Sequence, residues 1–393
     1  MTRDIANMRI RFYGVQGGDS GYPDVNERSA IVDEVRDTLL QRVFSDLAAA
    51  DDGNTASPEL TALLNGSVTA ETVSTYRNSL DLDYPVSYGG WTTCVHLETA
   101  DGHDIVFDCG TGFRNCALDL QHKWSETKER HLFILGSHSH IDHTIGFDQA
   151  AVCHDPRNTI HVVGNQQFLS ALDRNLGIFT KQVAESIIGV QTPLYYGTMA
   201  ARFEGTVIVS QKQPEGSRST NIAAHTFIIN KPLQLGNTSI RAFEVCHPAP
   251  CLAYRIERGG KSFVFCTDHE LRRGVDQYDP RQKKSEQAER QLRDIATETD
   301  LLYRDGQFQR REYDGEIGIG RSPAMTRLDW GHSCVEDVIE MADQCDVGHT
   351  LVGHHEPNRP WQDYRQIDDQ LDQHRQKTGR HIQLARAEMV IDL

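Results

Sequence analysis

Three histidines and an aspartate fall within six residues, His138-Ser139-His140-Ile141-Asp142-His143. A lone histidine is ordinarily a surface or hydrogen-bonded core residue, and the chain has 18 of them. Four ligand-type side chains packed this closely call for a chemical explanation instead. In extended backbone, residues two apart point to the same side, so His138 and His140 can converge on one cation while Asp142 and His143 turn toward a second. This mixture of imidazole nitrogen and carboxylate oxygen suits divalent cations of hard and borderline character. Two such cations close together would share a water acidic enough to be available as hydroxide at neutral pH.

The run before the cluster, His131-Leu132-Phe133-Ile134-Leu135, reads as a buried strand, which places the histidines in the loop at its carboxyl end. The pattern recurs three times. Val245-Cys246-His247-Pro248, Phe263-Val264-Phe265-Cys266-Thr267-Asp268 and Leu351-Val352-Gly353-His354-His355 each end an apolar stretch in a ligand type. Adjacent histidines cannot be separated by spacing, so His355 stands as the alternative to His354. Upstream, residues 95–98 and 104–107 read as a hairpin around Asp101-Gly102. Asp108 closes its second arm ahead of Gly110-Thr111-Gly112, where a carboxylate can orient a metal-bound imidazole.

The remaining elements form a frame for these strand ends. Residues 8–15 alternate as a first strand that stops at Gly17-Gly18, residues 159–163 read as a strand and 166–176 as a helix. Residues 180–240 alternate short strands with polar turns, among them an exposed loop at 211–220. Strands and helices interleaved along the whole length predict α/β layers. Residues 24–83 differ: Ile31, Val35, Leu39, Val43 and Leu47 recur every four residues, and Ser57-Pro58 has the form of a cap followed by proline at the first helical position. We read them as a helical insertion within one domain spanning 1–393. Ser333 is predicted to cap a helix whose apolar stripe is Val335, Val338, Ile339 and Ala342.

Composition bounds the partners. Hydrophobic residues at 38% and charged residues at 24% describe a globular chain. No apolar run reaches the roughly 20 residues that span a bilayer, and the start, with Arg3 and Asp4, lacks a secretion signal, so no membrane partner and a cytoplasmic location are expected. Nine cysteines without a CxxC pair predict reduced thiols, with Cys94, Cys109, Cys246 and Cys266 as small core residues. The 40 basic and 56 acidic residues leave a net charge of −16, which disfavours long nucleic acid but not a small anionic ligand beside bound cations. A homodimer is the commonest assembly, and the insertion could supply its interface.

Taken in order, the glycine turn, Tyr88-Gly89-Gly90-Trp91-Thr92-Thr93-Cys94, Asp108-Cys109-Gly110-Thr111-Gly112, the HxHxDH stretch, His247-Pro248 with Tyr254-Arg255, Thr267-Asp268, Gly331-His332-Ser333 and His354-His355-x-Pro357 resemble the metallo-β-lactamase-fold phosphodiesterases, over about residues 8–20 and 86–365. That group includes cyclic-nucleotide phosphodiesterases and the tRNA 3′-processing ribonuclease. The resemblance implies a four-layer αβ/βα sandwich in which His138, His140 and His247 bind one metal, Asp142, His143 and His354 the other, and Asp268 bridges them. It also implies that His332 acts as proton donor, with Asp305 fixing its tautomer and raising its pKa. Asp142 is then both ligand and catalytic.

On this reading a hydroxide shared by the metals attacks phosphorus and His332 protonates the departing alkoxide. The expected substrate is a small phosphodiester, a 3′,5′-cyclic nucleotide, with an RNA-processing endoribonuclease or an ester, thioester or lactone hydrolase on the same metals as alternatives. The aromatics Tyr195, Tyr196 and Phe203 are candidate base-stacking groups. Seven ligands at four strand ends predict about two divalent ions per chain, zinc for a nitrogen-rich site with manganese as a substitute. Elemental analysis of gently purified protein tests this: at most one equivalent, with activity indifferent to added metal, removes the two-metal reading.

Overall fold

Apolar stretches become inner strands because each sheet is covered by helices on one face and by the other sheet on the opposite face, leaving no solvated side. A computed structural model describes residues 7–18, 25–51, 57–66, 68–80, 88–127, 130–181, 199–210, 225–273, 276 and 278–393. Arg3, Asp4, Tyr195, Tyr196 and the expected loop at 211–220 lie outside the described residues.

Two sheets carry the fold. The first comprises β1 (Met8–Gly14), β2 (Cys94–Thr99), β3 (Asp104–Phe107), β4 (Arg130–Leu135), β5 (Asn158–Gly164), β6 (Arg202–Val209), β7 (His225–Ile228) and β15 (Val390–Asp392), in the order β15-β1-β2-β3-β4-β5-β6-β7. The second comprises β8 (Pro232–Leu235), β9 (Thr238–Val245), β10 (Cys251–Arg258), β11 (Lys261–Cys266), β12 (Leu301–Asp305), β13 (His349–Gly353) and β14 (Ile382–Leu384), in the order β14-β13-β12-β11-β10-β9-β8. Strands β3 to β7 run parallel, as do β11 to β14. The β2–β3 pair is the expected hairpin, with Val95 opposite Phe107.

Between the sheets lies a core of aromatic and branched side chains, with Phe107 stacked on Phe265 at 4.8 Å and Phe265 on Tyr303 at 5.3 Å. Outside the first sheet pack α4 (Phe113–Lys123) and α5 (Gln166–Leu176). The second is covered by α6 (Pro280–Ala296), α8 (Val335–Gln344) and α9 (Trp361–Thr378), while α7 (Arg310–Tyr313) is a single turn. This is the four-layer αβ/βα sandwich. Asn165 starts α5 by accepting the Phe168 amide at 2.9 Å, and Gly177 ends it at φ +62, so a stripe of Phe168, Leu169, Leu172 and Leu176 faces the sheet.

Two expectations are corrected. Ser333 does not cap α8. Cys334 occupies the cap, its amide donates to Asp337 at 3.0 Å, and the Ser333 hydroxyl instead bonds the His269 carbonyl and accepts the Leu271 amide at 3.1 Å. The helix begins one residue later because a carboxylate three positions on is the stronger acceptor. Phe203 is no open stacking surface either: it packs on the outer core, 5.9 Å from Phe147.

Residues 23–87 form a compact unit separate from the sandwich. Its helices are α1 (Val25–Asp51), α2 (Pro58–Asn65) and α3 (Ala70–Ser79). Ser57 caps α2 by accepting the Leu60 amide at 3.1 Å, and buried Tyr76 donates its hydroxyl to Asp46 at 2.8 Å. No helix among the described residues is long and apolar enough to cross a membrane.

All nine cysteines are buried and unpaired. Behind β12, the fully buried Arg304 guanidinium donates to both oxygens of Glu289 at 2.7 and 3.2 Å, and Glu289 also accepts from His269 at 2.9 Å. Removing one partner strands a charge out of water, so Glu289→Ala should cost about 3–5 kcal/mol in urea unfolding. A loss under about 1 kcal/mol, the value of an exposed pair, would mean that water reaches Arg304.

Candidate metal centre

All the expected ligands come from loops at one edge of the two sheets. Parallel pairing of β3 with β4, of β11 with β12 and of β12 with β13 aligns their carboxyl ends, and β9, antiparallel to β10, points the same way. The loop after β4 supplies His138, His140, Asp142 and His143, β9 leads to His247, β11 to Asp268 and β13 to His354.

Their ligand atoms form two groups: His138, His140, His247 and Asp268, and Asp142, His143, His354 and Asp268. Asp268 is common to both, and its oxygens divide. Oδ2 lies 3.4 Å from His138 Nε2 and 3.7 Å from His247 Nε2. Oδ1 lies 3.2 Å from His143 Nε2 and 3.0 Å from His354 Nε2. Asp142 Oδ2 closes the second group at 3.2 Å from His143 and 3.4 Å from His354.

Whether cations fit here is decided by the nitrogens. Nε2 of His138, His143, His247 and His354 is buried in each case without an aligned hydrogen-bond partner, a costly state for a polar atom unless something else is bound there. The opposite nitrogens are mostly held. His143 Nδ1 donates to Asp108 Oδ2 at 2.8 Å, His138 Nδ1 lies 3.0 Å from the Ser137 hydroxyl, and His247 Nδ1 lies 3.2 Å from both the amide and the carbonyl of Ala249. Nδ1 protonated leaves the Nε2 lone pair facing inward, as a metal requires. The residues therefore fit divalent cations.

Electrostatics agree. Burial, and then the neighbouring imidazoles, push His138 well below its ordinary pKa despite Asp268, and burial lowers His247 to about 4, so the first group is neutral donor nitrogen. Burial opposes charge at His143 as well, but Asp142, Asp268 and Asp108 outweigh it and raise the imidazole well above its usual value. The second group thus favours positive charge, which a cation supplies.

Contacts beyond the ligands fix this arrangement. Asp108, at φ +58, accepts the Ser137 amide and hydroxyl, both at 2.7 Å, besides His143. The Gly18 amide donates to Asp142 at 2.9 Å, and a side chain at Gly17 would meet the His354 ring at 2.2 Å. The Tyr303 hydroxyl accepts the His354 amide at 3.0 Å, while His355 turns away to the Ala385 carbonyl at 2.7 Å. Adjacent residues face opposite ways here, and only His354 reaches the cluster.

His332 sits on the rim, its ring stacked 4.7 Å from that of His354 and edge-on to that of His247 at 5.9 Å. Its Nδ1 meets Asp305 Oδ2 at 2.9 Å. Burial works against charge on this imidazole, but the Asp305 carboxylate outweighs it and raises the pKa to about 9, with Asp268 and Asp142 adding to the effect. Sequence reasoning missed Glu270, whose carboxylate accepts the Tyr313 hydroxyl at 2.5 Å and the Asp329 and Gly331 amides at 2.9 and 3.1 Å, clasping the turn before His332. A glutamate two residues beyond a strand-end aspartate, in Asp268-His269-Glu270, was the available signal.

The fold has solved counterparts. Zinc-bound PqqB from Methylobacterium extorquens is 10% identical with a TM-score of 0.50, covering 98% of this chain and 100% of that one. Unliganded yeast PDE1 is 9% identical with a TM-score of 0.50, covering 98% and 99%. At such identities the likeness is one of fold. No curated protein matches the chain. A family model described as a beta-lactamase superfamily domain matches residues 103–355, from the β2–β3 hairpin through the paired histidines after β13. The chain belongs to the beta-lactamase superfamily and is a metal-dependent hydrolase.

Proposed function

We propose that the protein hydrolyses a small phosphodiester, with a 3′,5′-cyclic nucleotide as substrate. One observation carries this reading: a carboxylate with one oxygen toward each imidazole group, faced on the rim by an imidazole paired with Asp305. His138, His140 and His247 would hold one divalent cation and Asp142, His143 and His354 a second, with Asp268 shared; zinc suits the nitrogen-rich first position and manganese could replace it. Bound there, two cations supply positive charge for the non-bridging oxygens of a phosphate and a water acidic enough to be nucleophilic near neutral pH.

The chain's own residues orient the ligands and move the second proton. Asp108 and the Gly18 amide hold His143 and Asp142 in place, so the ligand set is assembled before substrate arrives. Asp305 accepts the hydrogen bond from Nδ1–H of His332, which leaves the Nε2 proton as the one to donate. With its pKa raised to about 9, His332 is charged at neutral pH and can protonate a ribose alkoxide as the P–O bond breaks. A thiolate leaves without such help, so the pair favours an oxygen leaving group over a thioester. The net charge of −16 disfavours long RNA, whereas one phosphodiester needs no basic tract.

Purified enzyme should convert cyclic AMP or GMP to a monophosphate far faster than it processes precursor tRNA or cleaves thioesters; the reverse preference overturns the proposal. The roles of ligand and donor separate by mutation. Asp142→Ala should lose metal and activity together, whereas His332→Ala should keep the metals and lose about 10²–10⁴-fold in turnover. That loss should shrink on a p-nitrophenyl diester, whose leaving group departs unprotonated. An equal loss on both substrates, or loss of metal, would give His332 a structural role instead.

A further inference from the structure

The loops around the centre expose apolar side chains that the fold does not need exposed. Among the described residues of the sandwich unit, five of the seven large exposed hydrophobics sit on loops at the edge that carries the ligands: Ile141, Ile145, Tyr278, Met325 and Trp330. Leaving an indole in water forgoes the stabilisation that burial gives, so an exposed tryptophan beside a reaction centre needs a reason.

Trp330 is exposed over 48% of its surface and is nevertheless held still. The Arg327 guanidinium lies 4.4 Å from the centre of its ring, and Phe308 meets it edge-on at 6.4 Å. Arg327 itself is buried. The backbone is fixed on both sides, because Glu270 accepts the Asp329 and Gly331 amides and Arg281 pairs with Asp329 at 3.0 Å. Asp329 at φ +69 and Gly331 at φ +96 make the turn sharp, and a side chain at Gly331 would meet the His247 ring at 2.2 Å. The residue after Trp330 therefore lies against the His247 ring, and Trp330 stands two residues before His332.

We infer that Trp330 is the platform on which the base of a nucleotide stacks while its phosphate lies at the centre. A rigid indole backed by a guanidinium presents a flat face to flat π systems of any base, whereas an acyl chain calls for an enclosed aliphatic slot. This inference rests on the phosphodiesterase reading and names the part of the substrate that lies away from the phosphorus.

Calorimetric binding of AMP and of ribose 5-phosphate to the metal-loaded protein tests it independently of turnover. Wild type should bind AMP the more tightly. Trp330→Ala should weaken AMP by roughly tenfold, the scale of one base–aromatic stack, and leave ribose 5-phosphate unchanged, while Trp330→Phe keeps most of the affinity. Equal weakening of both ligands would make the indole a prop for the His332 turn, and equal wild-type affinities, or no binding of either, would also overturn the inference. If AMP binding depends on Trp330 but cyclic AMP and GMP are not hydrolysed, the platform stands and the phosphodiesterase reading falls. If they are hydrolysed and Trp330→Ala binds AMP like wild type, the opposite holds.

Discussion

A carboxylate taken out of water is tolerable only with positive charge or hydrogen-bond donors around it, and Asp268, 1% exposed, has imidazoles on both sides. Much of the sandwich can be understood as the means of keeping it there. Its position at the end of β11 is set by parallel registers with β12, and the groups that face it stand at the ends of β4, β9 and β13. Two core phenols carry the sheet packing directly into the loops: the Tyr254 hydroxyl donates to the Gly136 carbonyl at 2.7 Å, just ahead of His138, and the Tyr303 hydroxyl accepts the His354 amide. Loosening the inter-sheet core would displace ligands from both sheets at once.

The two sides of Asp268 are not equivalent. His138, His140 and His247 are neutral nitrogen donors, kept so by burial. Across the carboxylate, Asp142 adds a second negative charge and Asp108 a third through His143. The first group therefore offers mainly nitrogen and the second mainly charge, a difference that would suit a borderline cation at the first and a harder one at the second.

Much of this was legible in the sequence. The buried strands were visible because parallel strands covered on both faces read as apolar runs, and the ligand types stood directly after them. Helix α5 has the bounds read from the sequence, and in the structure Asn165 and Gly177 mark its ends. The choice of His354 over His355 was not readable, since it depends on a left-handed backbone at His354 and a carbonyl from residue 385. Ser333 misled because its hydroxyl was claimed by a carbonyl 64 positions away, a tertiary contact that local capping rules do not contain. Phe203 and Trp330 are both aromatic in sequence; only packing shows that the first is core and the second exposed.

Backbone strain is present at the centre. Three of the eight described non-glycine residues with positive φ, Asp108, Asp329 and His354, belong to the centre or its rim. Each such conformation costs on the order of 1 kcal/mol or more and persists only where neighbours over-determine it. The neighbours are visible in every case: Asp108 is held by three bonds to Ser137 and His143, His354 by the Tyr303 hydroxyl, and Asp329 by Glu270 and Arg281. In each case a side-chain oxygen from elsewhere in the fold fixes the geometry, and the strained residue is thereby turned toward the ligands. The rigidity of the sandwich is thus spent locally, on aiming a carboxylate at His143, an imidazole at Asp268 and the turn that presents His332.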